Sequence, residues 1–172
     1  PILAMVWIDA HPDITLPGDP YPGYHAMAVT ACMGHGDAKI VAELPAAFDP
    51  SKILFVGLRN WERGEIKARQ HQYGIKHLTP EEVAADSDAL RAWLKSCGAS
   101  KVVVHFDMDV LDPAEIVAAV GTDPDGMKIE AVIRVINDIA AEKELVGLTV
   151  AEPMPRTAIR LRDMLGRLPL LE

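Results

Sequence analysis

The sequence of 172 residues has only two cysteines, Cys32 and Cys97, far apart and in no Cys-x-x-Cys spacing. That excludes a disulfide framework and a zinc knuckle, and it suits a reducing compartment. Cys32 lies among apolar residues and reads as core, whereas Cys97, just before Gly98, reads as a helix end. Nor does any apolar run approach the ~20 residues of a membrane span. Excess positive charge is also missing: 17 Lys and Arg stand against 25 Asp and Glu, a formal net charge of −8. An acidic surface argues against nucleic acid, because binding phosphates needs a basic face. It fits a small-molecule ligand and clustered carboxylates that hold cations. Repeats, linkers and low-complexity tracts are absent too, so one domain over 1–172 is expected. The opening Pro1-Ile2-Leu3-Ala4-Met5-Val6-Trp7 has neither the basic region nor the cleavage site of a secretory leader, and a cytoplasmic protein is expected. Because it opens inside a strand-like run, further sequence upstream is expected as well.

What is present is alternation. Apolar runs at 2–8, 52–58, 101–106 and 145–151 read as buried strands, and 75–78 reads as a further short strand. Between them the pattern predicts helices over 25–36, 60–73, 79–96, 128–143 and about 156–167. Thr79-Pro80-Glu81-Glu82 carries a capping box and a first-turn proline, a strong helix start. Pro and Gly mark loops at 14–24 and 113–127. Strands that are apolar throughout and alternate with helices predict an α/β fold, a mainly parallel sheet between two helical layers. Ligands of such sheets bind beyond the carboxyl ends of the strands. Three of those ends carry acids, Asp9, Asp107 and Glu152.

Asp9-Ala10-His11-Pro12-Asp13 leaves the first strand. In an extended stretch alternate side chains point the same way, so the two acids and the histidine can converge. Carboxylate with imidazole suits Mn, Fe, Zn or Co. Alone, the motif reads equally well as a solvated turn. Asp107-Met108-Asp109 leaves the third long strand, and two such carboxylates repel unless a cation neutralises them. Asp112-Pro113, just beyond, reads as a structural turn. Taken together, four carboxylates and one histidine supply enough ligands for two divalent ions, which can activate a shared water. His25, at the start of a predicted helix, is a candidate proton shuttle or a packing histidine with equal weight. His105 is a candidate for supporting the site, while His71 reads as surface.

Asp9-Ala10-His11-Pro12-Asp13-Ile14, His25-Ala26-Met27, Phe55-Val56-Gly57-Leu58-Arg59, His105-Phe106-Asp107-Met108-Asp109-Val110-Leu111-Asp112-Pro113, Gly121-Thr122 and Glu152-Pro153 follow the order seen in the ureohydrolase superfamily. The sequence resembles its arginases, agmatinases and formimidoylglutamases over essentially the whole chain. The resemblance implies an arginase-like three-layer fold, with the N-terminal strands missing, and a binuclear Mn2+ site. It implies bridging ligands in Asp9 and Asp107, with His11 and Asp109 on one ion and Asp13 on the other. Hydroxide held by the metals would attack the guanidinium carbon. Asp13 and His25 would then move protons, and Glu152 would grip the guanidinium of a small cationic substrate. Thr15, Glu62 and Thr122 are the further substrate contacts it implies. The family also tends to form homo-oligomers.

The family's upstream Gly-Gly-Asp-His motif is not found in these residues, so the Asp13 ion is expected to be one ligand short. Thr15 stands where arginases carry an Asn, and Asn60 and Glu62 replace acids usual in arginases. A degenerate fold without activity is therefore the alternative expectation. Phe106-Asp107-Met108-Asp109 also resembles the opening of haloacid-dehalogenase-type phosphatases, in which the first Asp is a Mg2+-dependent nucleophile. That reading leaves Asp9, His11 and Asp13 unexplained.

Overall fold

The structure, a computed structural model, describes residues 3–154 and 158–171. The apolar runs form five strands, β1 (Leu3–Ile8), β2 (Ile53–Val56), β3 (Lys76–Leu78), β4 (Lys101–Asp107) and β5 (Glu144–Ala151). All pair in parallel, in the order β3-β2-β1-β4-β5. Side chains alternate between the two faces of the sheet. Ala4, Val6, Ile8, Leu54, Val56, Val102, Val104 and Phe106 enter one core, and Met5, Trp7, Ile53 and Phe55 enter the other. The first core is covered by α4 (Asp88–Ser96), α5 (Ile129–Glu142) and α6 (Ala158–Leu165), through Leu90, Trp93, Leu94, Ile136 and Met164. The second is covered by α1 (Ala28–Cys32) and α3 (Gly64–Tyr73), through Val29 and Ile66. Burial of both faces explains why β1 and β2 read as unbroken apolar runs, whereas the edge strands β3 and β5 are partly exposed.

Three predicted helices differ. The run over 25–36 gives a 3-10 turn at His25–Met27 and the short α1, and the chain turns at Gly34, φ +84°, two residues before Gly36. A four-residue α2 (Ala38–Val41) follows. The helix expected from Asn60 starts only at Gly64, because the amides of Arg59 and Asn60 are bonded to the Ala10 carbonyl and Glu62 is left-handed, φ +59°. The capping box at Thr79 forms as read, its amide donating to Glu82 and the Glu82 amide to its hydroxyl. It supports only a 3-10 turn, Glu81–Val83, and α4 begins anew at Asp88. Arg134 on α5 donates to the carbonyls of Val83, Ala84 and Asp86, which a continuous helix would need for its own ladder. Of the last predicted helix, the first two residues lie outside the described residues. The rest is α6, which ends two residues before the predicted end.

The chain runs outward from β1 through β2 to β3, then returns to the other side of β1 for β4 and β5. The switch point therefore lies between β1 and β4, where such sheets open a crevice at the strand ends.

Candidate metal centre

Register delivers the acids to that crevice. Ile8 pairs with Phe106, so Asp9 and Asp107 leave neighbouring strands side by side. Asp107 pairs with Ala151, which sets Glu152 one step beyond the end of β5. A cavity of about 300 Å3 opens there, walled by Trp7, Asp9, His11, Asp13, His105, Asp107 and Asp109, with His25, Glu62, Val120 and Glu152 also on its lining.

The Nδ1 of His11 lies 2.9 Å from Asp109 Oδ2 and 3.5 Å from Asp9 Oδ1. Main-chain amides orient the carboxylates: His11 N–H donates to Asp9 (2.6 Å), Ala10 N–H to Asp109 (3.1 Å) and Asp109 N–H to Asp107 (2.9 Å). Among the described residues, three sets of side chains bring ligand atoms within 4.8 Å of one another: Asp9, His11 and Asp109; Asp9, His105 and Asp107; and Asp107, Asp109 and Glu152. The sets share members, as ligands of two neighbouring ions would.

Electrostatics favour a cation. Burial, then the charge of Asp9, holds Asp13 well above the usual carboxylate range. Burial, then the charges of Asp9 and Asp109, pushes Asp107 up to about 8. Asp9 rises to about 6 through burial, although its hydrogen bond with His11 opposes this. Burial also works against the anion of Asp109, but the His11 hydrogen bond outweighs it and the carboxyl stays below its ordinary value. His11 is driven to about 11: burial disfavours its charge, and hydrogen bonds to Asp109 and Asp9 overcome that. Acids crowded out of water bind protons where no metal competes, and divalent cations displace protons from such sites. An oxygen-rich donor set with one or two imidazoles fits Mn2+ or a similar divalent ion.

Of the residues singled out in the sequence, Asp9, His11, Asp13, Asp107, Asp109, His25, Glu62 and Glu152 line this one cavity. Two do not. Thr15 is buried beneath it, and its hydroxyl donates to the Ala26 carbonyl at 2.5 Å, fixing the loop that carries His25. Thr122 is exposed and stands beside the lining residue Gly121. Asp13 is left-handed, φ +47°, so it enters the cavity from a turn and not from the extended stretch that alternation implied. Asp112 is the structural turn residue expected, accepting from the Ala114 amide (2.9 Å) and pairing with Lys128 (2.5 Å). His105 stands closer than a supporting role implied: it is within ligand range of Asp9 and Asp107 and stacks on Trp7. Burial drives its imidazole down to about 4. Sequence reasoning missed Asp123, whose carboxylate lies 3.3 Å from His11 Nε2. It sits in a Gly/Pro loop with no motif to mark it.

A family model described as the Arginase family matches residues 1–163. Among curated relatives, an arginase of Entamoeba histolytica is 28% identical over 159 residues, covering 90% of this chain and 53% of the relative. An N(omega)-hydroxy-L-arginine amidinohydrolase of Streptomyces lavendulae is 30% identical over 158 residues, covering 88% and 52%. The chain thus spans about half the length of the curated relatives it matches. The crystal structure of Entamoeba histolytica arginase in complex with L-ornithine aligns with a TM-score of 0.80 at 23% identity, over 90% of this chain and 53% of that one. A formimidoylglutamase of Bacillus subtilis aligns at 0.70 and 17% identity, over 90% and 46%. At those identities the structural likeness concerns the fold alone.

Proposed function

The chain belongs to the arginase family, and on that footing we propose that it is a manganese-dependent hydrolase of a C–N bond in a small guanidino or formimino compound. The observation that carries the reading is the meeting of Asp9, His11, Asp107 and Asp109 at the switch point of the sheet, in ligand sets that share members. Asp9 and Asp107 would be common to both ions, with His11 and Asp109 on one side and Asp13 on the other. Divalent ions bound there supply Lewis acidity and a water activated near neutral pH.

The chain's own groups divide the remaining work. Asp13, half-buried and inclined to hold a proton, takes one from the nucleophile and passes it to the leaving amine. His25, exposed at the rim within 3.1 Å of the Tyr21 hydroxyl, exchanges protons with solvent. Glu152, on the cavity lining beyond β5, accepts hydrogen bonds from the guanidinium and orients it. Glu62, on the same lining, meets a second cationic group of the substrate. A cytoplasmic homo-oligomer belongs to the same reading.

The test is a Mn2+ titration with metal analysis, followed by urea, hydroxyurea or formamide release across arginine, hydroxyarginine, agmatine and formimidoylglutamate. Two Mn2+ per chain and turnover of one compound are expected, with turnover abolished in Asp107→Asn. One Mn2+ per chain or none, or no turnover across the panel in a metal-loaded protein, would refute the enzyme reading in favour of a degenerate fold.

A further inference from the structure

We infer that Asp123 is a positioning residue, held by Asn60 and Arg59, that fixes the His11 ring so that its Nδ1 faces the Asp9 and Asp109 carboxylates. The inference rests on the metal-centre reading above and concerns a residue outside the motifs that identify the site.

Among the described residues the Arg59 side chain makes five hydrogen bonds, all to main-chain carbonyls. Its Nε donates to Pro124 (2.9 Å), its Nη1 to Gly57 and Val110 (3.2 Å each), and its Nη2 to Asp109 (3.0 Å) and Asp123 (2.8 Å). One guanidinium thus ties the loop leaving β4 to the loop that carries Asp123. Asn60 completes the fixture. Its Oδ1 accepts from the Glu62 amide at 2.8 Å, which assigns its Nδ2 as the donor to Asp123 Oδ1 at 2.7 Å. Asp123 Oδ2 is left facing His11 Nε2, and the two side chains are only 21% and 22% exposed.

An imidazole that binds a cation through Nδ1 keeps its one proton on Nε2, and the group facing Nε2 decides how firmly that proton is held. A carboxylate opposite Nε2 favours the proton there and frees Nδ1 to bind a cation. Asp123 must present two acceptor oxygens at once, one to an amide N–H and one to an imidazole N–H. A residue that merely shapes the loop has no such requirement, and this difference makes the inference testable.

The isosteric change Asp123→Asn keeps shape but sets an NH2 against one of the two donors. The reciprocal pair Asn60→Asp with Asp123→Asn restores complementarity: residue 60 accepts the new amide N–H, and the amide oxygen at 123 faces His11. Two measurements on the folded proteins decide the matter. One is the His11 Nε2–H signal by NMR in the metal-free state, and the other is Mn2+ affinity by calorimetry. Asp123→Asn is expected to lose the signal and to weaken Mn2+ binding about 10–100-fold, as loss of a partner behind a metal-binding histidine does. The double variant is expected to recover most of both. A signal that persists in Asp123→Asn, or fails to return in the double variant, overturns the inference. If the parent takes up no Mn2+ while the signal follows the substitutions as expected, the positioning of His11 stands and the metal reading falls.

Discussion

The indole N–H of Trp7 donates to Asp9 Oδ2 at 3.0 Å while its ring stacks on His105, 3.7 Å between centroids and 17° between planes. One side chain from the middle of the sheet thereby restrains a carboxylate and an imidazole of the candidate metal centre. Trp7→Phe preserves an aromatic face and removes the donor. It is expected to lower the free energy of unfolding by about 1–3 kcal/mol, from the unmet hydrogen bond and the smaller ring. Mn2+ affinity is expected to fall with it. Urea denaturation and metal titration check the two effects, and a variant matching the parent in both would show that Asp9 needs no such restraint.

Without metal, the centre makes stability depend on pH. Asp107 and Asp9 have folded values of about 8 and about 6, above an unfolded value of about 4. The folded state therefore binds more protons in that window. Stability from these groups is fully present below about pH 4 and is lost as pH rises through 6 and 8. His11, held up to about 11, acts in the same direction at higher pH. Metal-free protein is expected to become steadily less stable from pH 5 to 8 in thermal denaturation, and saturating Mn2+ is expected to flatten the curve. Stability of the metal-free protein that is constant or rising over that range would contradict the assignment.

The loop over 14–24 has an anchor of the opposite sign. Arg69 on α3 grips Asp19 through both guanidinium nitrogens, at 2.6 and 3.1 Å, and also donates to the Ile14 carbonyl. The hydrogen bond from Arg69 holds the Asp19 carboxyl below its ordinary value. A depressed acid stabilises above its unfolded value, and the contribution disappears as pH falls through the folded one. Arg69→Met is expected to cost on the order of 1 kcal/mol at neutral pH. The gap to the parent should close in strong acid, as parallel urea titrations would reveal.

Gly57 ends β2 at φ +86°, and a Cβ there would stand 2.3 Å from Val110 Cγ2 and 3.1 Å from Met127 Sδ. Its amide also donates to the Leu78 carbonyl at 2.8 Å. Gly57→Ala combines a conformation unfavourable to L residues with overpacking of buried neighbours. A loss of about 2–4 kcal/mol is expected in chemical denaturation. A change within experimental error would mean that the turn relaxes freely.

Much of the architecture was legible because burial writes itself into composition: the four longer strands fall where apolar runs stand, and the edge strand β3, Lys76–Leu78, shows no such run. The acids at strand ends were legible for the same reason, since a carboxylate closing an apolar run must face a crevice or water. What sequence pattern did not carry was long-range competition for hydrogen bonds. The Thr79 capping box is intact, yet Arg134, some 50 residues away, claims the carbonyls its helix would have used. Asp123 stayed hidden because its role depends on Asn60 and His11, which meet it only after folding. Thr15 has a residue type suited to substrate contact, and tertiary packing turned its hydroxyl to a carbonyl instead.

Asp13, Glu62 and Glu152 all hold left-handed backbones, at φ +47°, +59° and +59°. Such conformations cost about 1–2 kcal/mol each for residues with a side chain, and glycine avoids that cost. The protein therefore has a downhill route to greater robustness that leads away from chemistry. Glycine at any of the three would relieve the backbone and strip a carboxylate from the cavity, so stability and the cavity's negative charge are set against each other at these positions.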